Sequence, residues 1–246
     1  MIIGSNINFF HNLPSTNTHL IHLLRKNRLP EGTIITTDYQ SAGRGQAGNK
    51  WESEDGKNLL FSILLLPHMI KPTKQFLISM VLSLGICDFL NRYVPDSSVK
   101  WPNDIYVNND KIAGLLIENS IMEDQIEYSV AGIGLNVNQE TFISDAPNPV
   151  SLKLITGASY NLAACLTQLA ADLDKRYKQL ISGEYSRIRD EYIARLFRLK
   201  LWSKFRDSEG VCDGRIVSVT ENGRLQVEMK SGVLKEYSFK EIEFIL

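Results

Sequence analysis

Residues 36–51 read Thr36-Thr37-Asp38-Tyr39-Gln40-Ser41-Ala42-Gly43-Arg44-Gly45-Gln46-Ala47-Gly48-Asn49-Lys50-Trp51, and this stretch decides how the rest of the chain is interpreted. Three glycines fall within six residues, and Arg44 lies between the first two. Glycine adopts positive φ freely and lets backbone N–H groups approach a ligand closely. Successive N–H groups in such a loop form a concavity that binds anions, and an arginine adds a charged fork of donors. The stretch therefore predicts a loop that folds over an anionic group.

The same glycines match the pattern G-x-G-x-x-G, which in dinucleotide-binding folds ends a strand and opens a helix. A strand is predicted before the pattern, over residues 33–38, but residues 51–57 after it show no apolar residue at helical spacing. The context therefore excludes a dinucleotide site and leaves a flexible surface loop as the alternative. Tyr39 and Trp51 at the ends of the loop argue against that alternative, because large aromatic side chains are costly to leave in water.

Composition sets limits on the class of protein. The chain has 246 residues, of which 43% are hydrophobic and 22% charged, and its formal net charge is −1. These values are ordinary for a globular domain and give no indication of nucleic-acid or membrane binding. The N-terminus lacks signal-peptide features, and we expect no apolar stretch long enough to span a bilayer. The cysteines 87, 165 and 212 lie far apart without a C-x-x-C motif, which is typical of a reducing cytoplasm.

Hydrophobic periodicity predicts alternating strands and helices over most of the chain. The predicted strands cover residues 8–10, 33–38, 59–66 and 127–137, with a hairpin over 99–118. The predicted helices cover 18–27, 72–93, 151–155, 160–181 (capped by Ser159) and 184–199. After residue 211 the pattern changes to strands over 215–220, 224–230 and 233–239, joined by Asn222-Gly223 and Ser231-Gly232. Such dipeptides indicate short hairpins, so a small all-β module of about forty residues is predicted there.

Two further segments carry polar groups with functional potential. Ser15, Thr16 and Asn17 precede the first helix, and any one of them is explained as its N-cap, although three adjacent hydrogen-bonding side chains exceed what a cap needs. Lys111 begins the returning strand of the hairpin over 99–118, where a lysine is usually a solvated hairpin end. Gly114 follows three residues later and leaves room for a ligand beside the strand.

Taken together, these residues resemble the biotin–protein ligase family over essentially the whole chain. Three motifs carry the resemblance: residues 43–51, residues 100–104 (Lys-Trp-Pro-Asn-Asp) and residues 111–118 (Lys-Ile-Ala-Gly-Leu-Leu-Ile-Glu). Residues 15–17, Gln40 and residues 132–136 (Gly-Ile-Gly-Leu-Asn) fall in the family's order around them. The resemblance implies an α+β fold, with a central mixed β-sheet flanked by helices over residues 1–199 and a small SH3-like β-barrel over 200–246. The first motif begins at Ser15, so we expect the short form without an N-terminal DNA-binding domain.

The resemblance also implies a reaction in two steps. The carboxylate of biotin attacks the α-phosphate of ATP, which gives biotinyl-adenylate and pyrophosphate. A lysine of a biotin carboxyl carrier domain of a carboxylase then attacks the adenylate, and AMP leaves. ATP and Mg²⁺ are the implied cofactor set, and biotin and the carrier domain are the implied partners. An exposed sheet edge could serve either homodimerisation or carrier docking.

The family pattern assigns roles residue by residue. Arg44 and Lys111 are the expected catalytic residues, near the biotin carboxylate and the α-phosphate. The expected biotin-binding residues are Ser15, Thr16, Asn17, Gln40, Arg44, Gly45, Gln46, Lys111, Gly114, Gly132 and Gly134. The expected ATP-binding residues are Arg44, Gln46, Trp51, Asn103, Asp104, Lys111 and Asn136. Asp104 is also expected to hold Mg²⁺ through water and phosphate oxygens.

One departure from the family and three alternatives accompany this interpretation. Many members have an arginine where this chain has Gln46, which brings no charge, so retention of the adenylate is open. A lipoate–protein ligase is the nearest alternative, but its substrate has no ureido group for residues 15–17 and Gln40 to bind. An octanoyltransferase of this fold needs a nucleophilic cysteine, and Cys87 and Cys165 both lie on apolar helix faces. The neutral charge and the intact Arg44 and Lys111 argue against a silent binding module or a repressor.

Overall fold

Two β-sheets organise the residues that the computed structural model describes, 1–143 and 148–245. The larger sheet has seven strands in the order β1-β2-β3-β7-β6-β5-β4. These strands are β1 (Asn6–Leu13), β2 (Thr33–Gln40), β3 (Leu59–Leu65), β4 (Ser97–Lys100), β5 (Asp104–Val107), β6 (Asp110–Met122) and β7 (Gln125–Leu135). β1 pairs with β2 in parallel, and the other neighbours pair antiparallel. The predicted mixed sheet is confirmed.

Helices cover both faces of this sheet. They are α1 (Thr16–Leu24), α2 (Phe76–Leu90), α3 (Leu152–Thr156), α4 (Leu162–Ile181) and α5 (Tyr185–Ala194). The main core joins α2 and α4 to Ile34 and Ile63, whereas a smaller cluster joins Leu20 of α1 to Ile35 and Leu64. Successive strand residues point to opposite faces. The sheet therefore carries α2 and α4 on one face and α1 on the other.

Helix α2 corrects one sequence-based expectation. With the turn before it, it forms the 19-residue segment Pro72–Leu90, whose most apolar part has a mean hydropathy of 1.4 and which is long and apolar enough to cross a membrane by length and composition. The expectation that no stretch reaches that length is therefore wrong. In the structure 72% of that apolar part is buried, and α2 packs against α4 and α5. A helix that is apolar on every side is accounted for by this position in the core.

The C-terminal sheet has five antiparallel strands in the order β11-β10-β9-β8-β12, which is consistent with the predicted small barrel. The strands are β8 (Trp202–Asp207), β9 (Gly210–Val219), β10 (Leu225–Met229), β11 (Leu234–Tyr237) and β12 (Glu243–Phe244). The sequence analysis missed β8 and β12. It also placed the cap of α4 at Ser159, whereas the side chain of Asn161 accepts the N–H of Ala164 at 2.9 Å.

The two sheets meet at a junction formed by one tryptophan and one hairpin turn. Trp101 Nε1 donates a buried hydrogen bond of 2.9 Å to the carbonyl of Gly223, in the turn between β9 and β10. Gly223 has φ +87°, which side chains rarely adopt, and a Cβ built on it would lie 2.6 Å from the ring of Phe76. Both the backbone conformation and the close contact therefore require glycine. The boundary at residues 199 and 200 stays a prediction, but this turn fixes the small module to the larger domain.

Candidate active site

Four strands of the large sheet place three predicted site residues and Lys100 side by side. Lys100 of β4 is the register partner of Asp104 of β5, which pairs with Gly114 of β6, which in turn pairs with Gly134 of β7. Residues directly opposite each other on neighbouring strands point to the same face of a sheet. The row therefore forms a floor that crosses most of the sheet.

A second row lies two residues further along the strands. Ser62 of β3 pairs with Gly132 of β7, which pairs with Leu116 of β6. Ile35, the partner of Ser62 on β2, packs against Leu20 of α1. Both rows are therefore on the α1 face of the sheet, and the start of α1 is at the inner end of this floor.

Above the floor is a cavity of about 580 Å³ that both sheets help to enclose. All but one of the predicted site residues line it: Ser15, Thr16, Asn17, Gln40, Arg44, Gly45, Gln46, Trp51, Asn103, Asp104, Lys111, Gly114, Gly132 and Gly134. The sequence analysis did not assign to the site the cavity residues Lys50 and Lys100 or those of the C-terminal module, which are Phe239, Lys240, Ile242, Glu243 and Phe244.

Asn136 is the predicted residue that does not line the cavity. Its backbone N–H donates to the carbonyl of Ile112 at 2.9 Å, and its Nδ2 donates to the carbonyl of Val150 at 3.0 Å. Its Oδ1 is buried and has no hydrogen-bond partner in the part of the chain that the structure describes. The predicted nucleotide contact of Asn136 stays a prediction.

At the inner end of the cavity the Gln40 side chain is oriented by Thr16. The backbone N–H and the hydroxyl of Thr16 both approach Gln40 Oε1, at 2.8 and 3.1 Å. Because both donors require the amide oxygen, the amide nitrogen must be on the other side. Gln40 Nε2, which has no hydrogen-bond partner among the described residues, is therefore a donor that remains available to a ligand.

The Asn17 side chain is oriented in the same way, with its oxygen available. Asn17 Nδ2 donates to the carbonyl of Leu116 at 3.1 Å and to Glu118 Oε2 at 2.7 Å, and both of these groups only accept. Asn17 Oδ1 lies 2.5 Å from the hydroxyl of Ser62, which donates to it. A Cβ on Gly132 would lie 2.4 Å from the same Oδ1, so only glycine leaves room for this carboxamide.

Ser62 and Glu118 contact predicted site residues, and sequence reasoning assigned neither of them to the site. Ser62 is fully buried, and it is the one hydroxyl residue in the apolar strand β3. That isolated polar position was the available signal, because a buried hydroxyl needs a partner. Glu118 ends the third motif, and its Oε2 accepts from both Asn17 and Arg44 at 2.7 Å. One carboxylate oxygen thus joins the inner polar end of the cavity to its nearest cation.

The two predicted catalytic cations are each paired with a carboxylate. Arg44 Nη2 lies 2.7 Å from Glu118 Oε2, and Lys111 Nζ lies 2.7 Å from Asp104 Oδ1. Both pairs are partly exposed, and pairs of this kind contribute about 0–1 kcal/mol, so an arriving anion can exchange with the carboxylates at little cost. The prediction that Lys111 lies at the start of a paired strand is confirmed, because β6 begins at Asp110 and Lys111 pairs with Tyr106.

The loop over residues 43–51 covers the floor through Trp51. Its ends meet in a bridge between Arg44 and Lys50, with a 3₁₀ turn at Gln46–Gly48 between them. A Cβ on Gly134 would lie 2.4 Å from the Trp51 indole, and one on Gly114 would lie 3.0 Å from it. The space above these glycines therefore holds a protein side chain in this structure. Trp51 Nε1 is buried there and has no hydrogen-bond partner within the described ranges.

Two kinds of chemistry are disfavoured: nucleophilic attack by a cysteine, and binding of a metal ion by protein side chains alone. Burial raises the pKa of the Cys87 thiol to about 11, and Cys165 is buried as well, so neither is a ready nucleophile. Among residues 1–143 and 148–245 no group of three or more His, Cys, Asp or Glu side chains could hold a metal ion by itself. Asp104 supplies a single carboxylate to the floor, which suits a cation that arrives on a ligand's phosphates.

Comparison with known proteins identifies the family to which this protein belongs. The model of the biotin/lipoate A/B protein ligase family matches residues 9–136, which is more than half of the chain, and the protein belongs to this family. It is 26% identical to the bifunctional ligase/repressor BirA of Bacillus subtilis over 244 residues, which cover 96% of this chain and 74% of that protein. It is 30% identical to the BirA of Salmonella typhimurium over 238 residues, which cover 94% of this chain and 71% of that protein.

Solved structures give the same assignment. The biotin protein ligase from Aquifex aeolicus in complex with biotin and ATP superposes with a TM-score of 0.80 at 26% sequence identity. The match covers 97% of this chain and 98% of that one. The predicted fold, with a ligase domain followed by a small β module, is therefore confirmed.

Proposed function

We propose that this protein activates biotin with ATP as biotinyl-5′-AMP and transfers the biotinyl group to a specific lysine of a biotin carboxyl carrier domain. The observation that carries the choice of biotin is the orientation of the Asn17 and Gln40 carboxamides at the inner end of the cavity. Family membership and the similarity to a biotin- and ATP-bound ligase support the reaction class.

The inner end of the cavity offers the partners that a ureido group needs. A ureido group has two N–H donors and one carbonyl acceptor. Asn17 presents its oxygen and Gln40 its nitrogen, and the hydroxyl of Ser15 adds a group that can donate or accept. The dithiolane ring of lipoate has no N–H for the Asn17 oxygen and no carbonyl for the Gln40 nitrogen, so these ligand hydrogen bonds would be lost at a cost of about 1–3 kcal/mol each. The cavity therefore favours biotin over lipoate.

The middle of the cavity suits attack on a phosphate. With the ureido group at Asn17, the biotin carboxylate extends toward Arg44 and Lys111. A carboxylate oxygen attacks the α-phosphorus of ATP, and the bond to the β-phosphate oxygen breaks as pyrophosphate leaves. The two cations hold the converging negative charges together, and Asp104 orients Lys111. In the second step the amine of the carrier lysine displaces AMP, and no residue of this chain needs to become a covalent intermediate.

We also propose the cofactor and the cellular context. Mg²⁺ on the ATP phosphates would supply charge neutralisation, and Asp104 is the residue that would hold it, through water or phosphate oxygens. The edge strand β1 exposes Ile7 and Phe9 and could serve either a homodimer or the carrier domain. A cytoplasmic location and the absence of DNA and membrane partners remain part of the proposal.

The test is labelling of a carrier domain. The protein is incubated with a biotin carboxyl carrier domain and biotin, with and without ATP, and in parallel with a lipoyl domain and lipoate. ATP-dependent biotinylation of one lysine of the carrier domain is expected, with little lipoylation. The Lys111→Ala variant is the control and should show neither product. Lipoylation that exceeds biotinylation would overturn the choice of substrate.

A further inference from the structure

The outer end of the cavity is formed by Lys100 and the C-terminal module. Lys100 ends β4, and its Nζ lies 3.2 Å from the hydroxyl of Tyr106. The same Nζ lies 5.1 Å from the ring centre of Tyr106 and 5.2 Å from that of Phe244 in β12. Cation–π contacts at these distances hold the ammonium in a fixed place, between two aromatic rings and the open cavity.

Unlike Arg44 and Lys111, Lys100 makes no ion pair within the described ranges. Asp104 and Glu243 act on its charge from a longer distance, but Asp104 is paired with Lys111 and Glu243 with Arg206. Burial lowers the pKa of Lys100 because the ammonium loses water without gaining a carboxylate. A desolvated, uncompensated cation on the wall of a cavity favours an anionic ligand there.

The order of residues along the floor indicates which part of the ligand would lie at Lys100. Lys100 is at the end of the row that continues through Asp104 and Gly114 to Gly134, three strand spacings or roughly 14 Å from the far end. The proposed ureido site at Asn17 is toward that far end, and Arg44 and Lys111 hold the α-phosphate in between. The phosphates beyond the α-phosphate therefore point toward Lys100.

We propose that Lys100 binds the β- and γ-phosphates of ATP and the pyrophosphate that leaves, which makes it a third cation of the adenylation step. This assignment rests on the proposed function and extends it to a residue outside the Arg44–Lys111 pair. As the bond between the α-phosphorus and the bridging oxygen breaks, both bonding electrons go to that oxygen, and the added negative charge builds on pyrophosphate. Lys100 stabilises this charge and needs no proton transfer.

The proposal gives the C-terminal module a part in ATP binding. Phe244 lies at the end of the module, and it packs on Phe197 and Phe205 as well as beside Lys100. The module therefore forms one wall of the cage that keeps water from the ammonium. A purely structural Lys100 would only support Phe244 and Tyr106, and the two roles differ in which half of the reaction they affect.

The experiment separates the two half-reactions in Lys100→Met, Lys100→Arg and the wild type. Methionine keeps the length and apolar contacts of the side chain without its charge. Enzyme carrying preformed biotinyl-adenylate is mixed either with inorganic pyrophosphate, and ATP formation is followed, or with carrier domain alone, and biotin transfer is followed. Lys175→Met, which removes an exposed lysine of α4 outside the cavity, is the matched control.

Lys100→Met should raise the pyrophosphate concentration for half-maximal ATP formation by about tenfold or more, because a charged hydrogen bond is lost. Transfer from the preformed adenylate should stay within about twofold of the wild type, and Lys100→Arg should recover most of the pyrophosphate affinity. An equal loss in both half-reactions, or no loss in either, would overturn the assignment. A wild type that forms no adenylate at all would instead reject the proposed function.

Discussion

Replacing Gly134 by alanine should open the loop over residues 43–51 without weakening the sheet. The new Cβ would lie 2.4 Å from Trp51 Cε2, 2.6 Å from Cζ2 and 2.8 Å from Nε1, so the indole must leave its place. The sheet itself should keep or gain stability, because alanine is preferred over glycine inside a strand by about 0.5–1 kcal/mol. The substitution therefore acts on the loop and not on the fold.

The size of the effect follows from what Trp51 loses. Exposing a half-buried aromatic ring costs about 1–2 kcal/mol, and the cation–π contact with Lys111 at 5.7 Å contributes about 0.5–1 kcal/mol more. Loop closure should weaken by about 1.5–3 kcal/mol, which is a shift of roughly 13- to 160-fold in the closed-to-open ratio.

Trypsin provides the assay, because Arg44 and Lys50 lie in the loop. When opening is fast relative to cleavage, the cleavage rate follows the open population. Cleavage should therefore be faster in Gly134→Ala, at an unchanged melting temperature, and biotin with ATP should protect the wild type more than the variant. Trp51→Ala should give the same phenotype, and the double variant should be no worse than Trp51→Ala alone. Additive effects of the two substitutions would refute the proposed contact.

Four other predictions concern single residues. Lys111→Ala should abolish ATP–pyrophosphate exchange while costing only about 0–1 kcal/mol of stability, and near-normal exchange would contradict its role. Ser62→Ala should lower the free energy of unfolding by about 1–3 kcal/mol and weaken biotin binding in calorimetry, since the Asn17 amide loses the donor that orients it; unchanged binding would exclude Ser62 from positioning. Gln46→Arg should slow release of biotinyl-adenylate by about tenfold, through one added charge; an equal off-rate at two salt concentrations would mean that another cation already fills that role. Burial raises the pKa of Cys87 to about 11, so its thiol stays protonated at pH values where an ordinary cysteine ionises. Iodoacetamide at about pH 8 should therefore leave Cys87 unmodified in the native protein, and rapid alkylation would show that the thiol is accessible.

The larger sheet could be predicted from sequence because its signals are local. The apolar run that forms β3 and the hairpin over 99–118 are written in neighbouring residues, and both appear in the structure. β8 was missed because five of the six residues in Trp202–Asp207 are exposed or only partly buried and Phe205 alone is buried, which resembles a polar linker. Its pairing with β9 and β12, and not its own composition, makes it a strand.

The candidate site also contains some residues that could be predicted from sequence and others that could not. The resemblance to the ligase family, carried by short continuous motifs, predicted which motif residues line the cavity. Glu118 could not, because its contacts with Asn17 and Arg44 join positions 101 and 74 residues apart. Lys100 could not either, because Phe244, which helps to desolvate it, is in the last strand of the C-terminal module. Contacts of this range depend on how the two sheets assemble.

The junction between Trp101 and Gly223 limits how this chain could be recombined with its relatives. A C-terminal module taken from another member would need a glycine with positive φ in the turn that packs against Phe76. The carbonyl of that glycine would also have to accept the hydrogen bond from the indole of Trp101. A module lacking that turn would sit askew, and the loop from Trp101 to Asp104 would lose its outer support. The larger domain and the C-terminal module therefore depend on each other at this contact, and a chimera should exchange Phe76, Trp101 and the hairpin together.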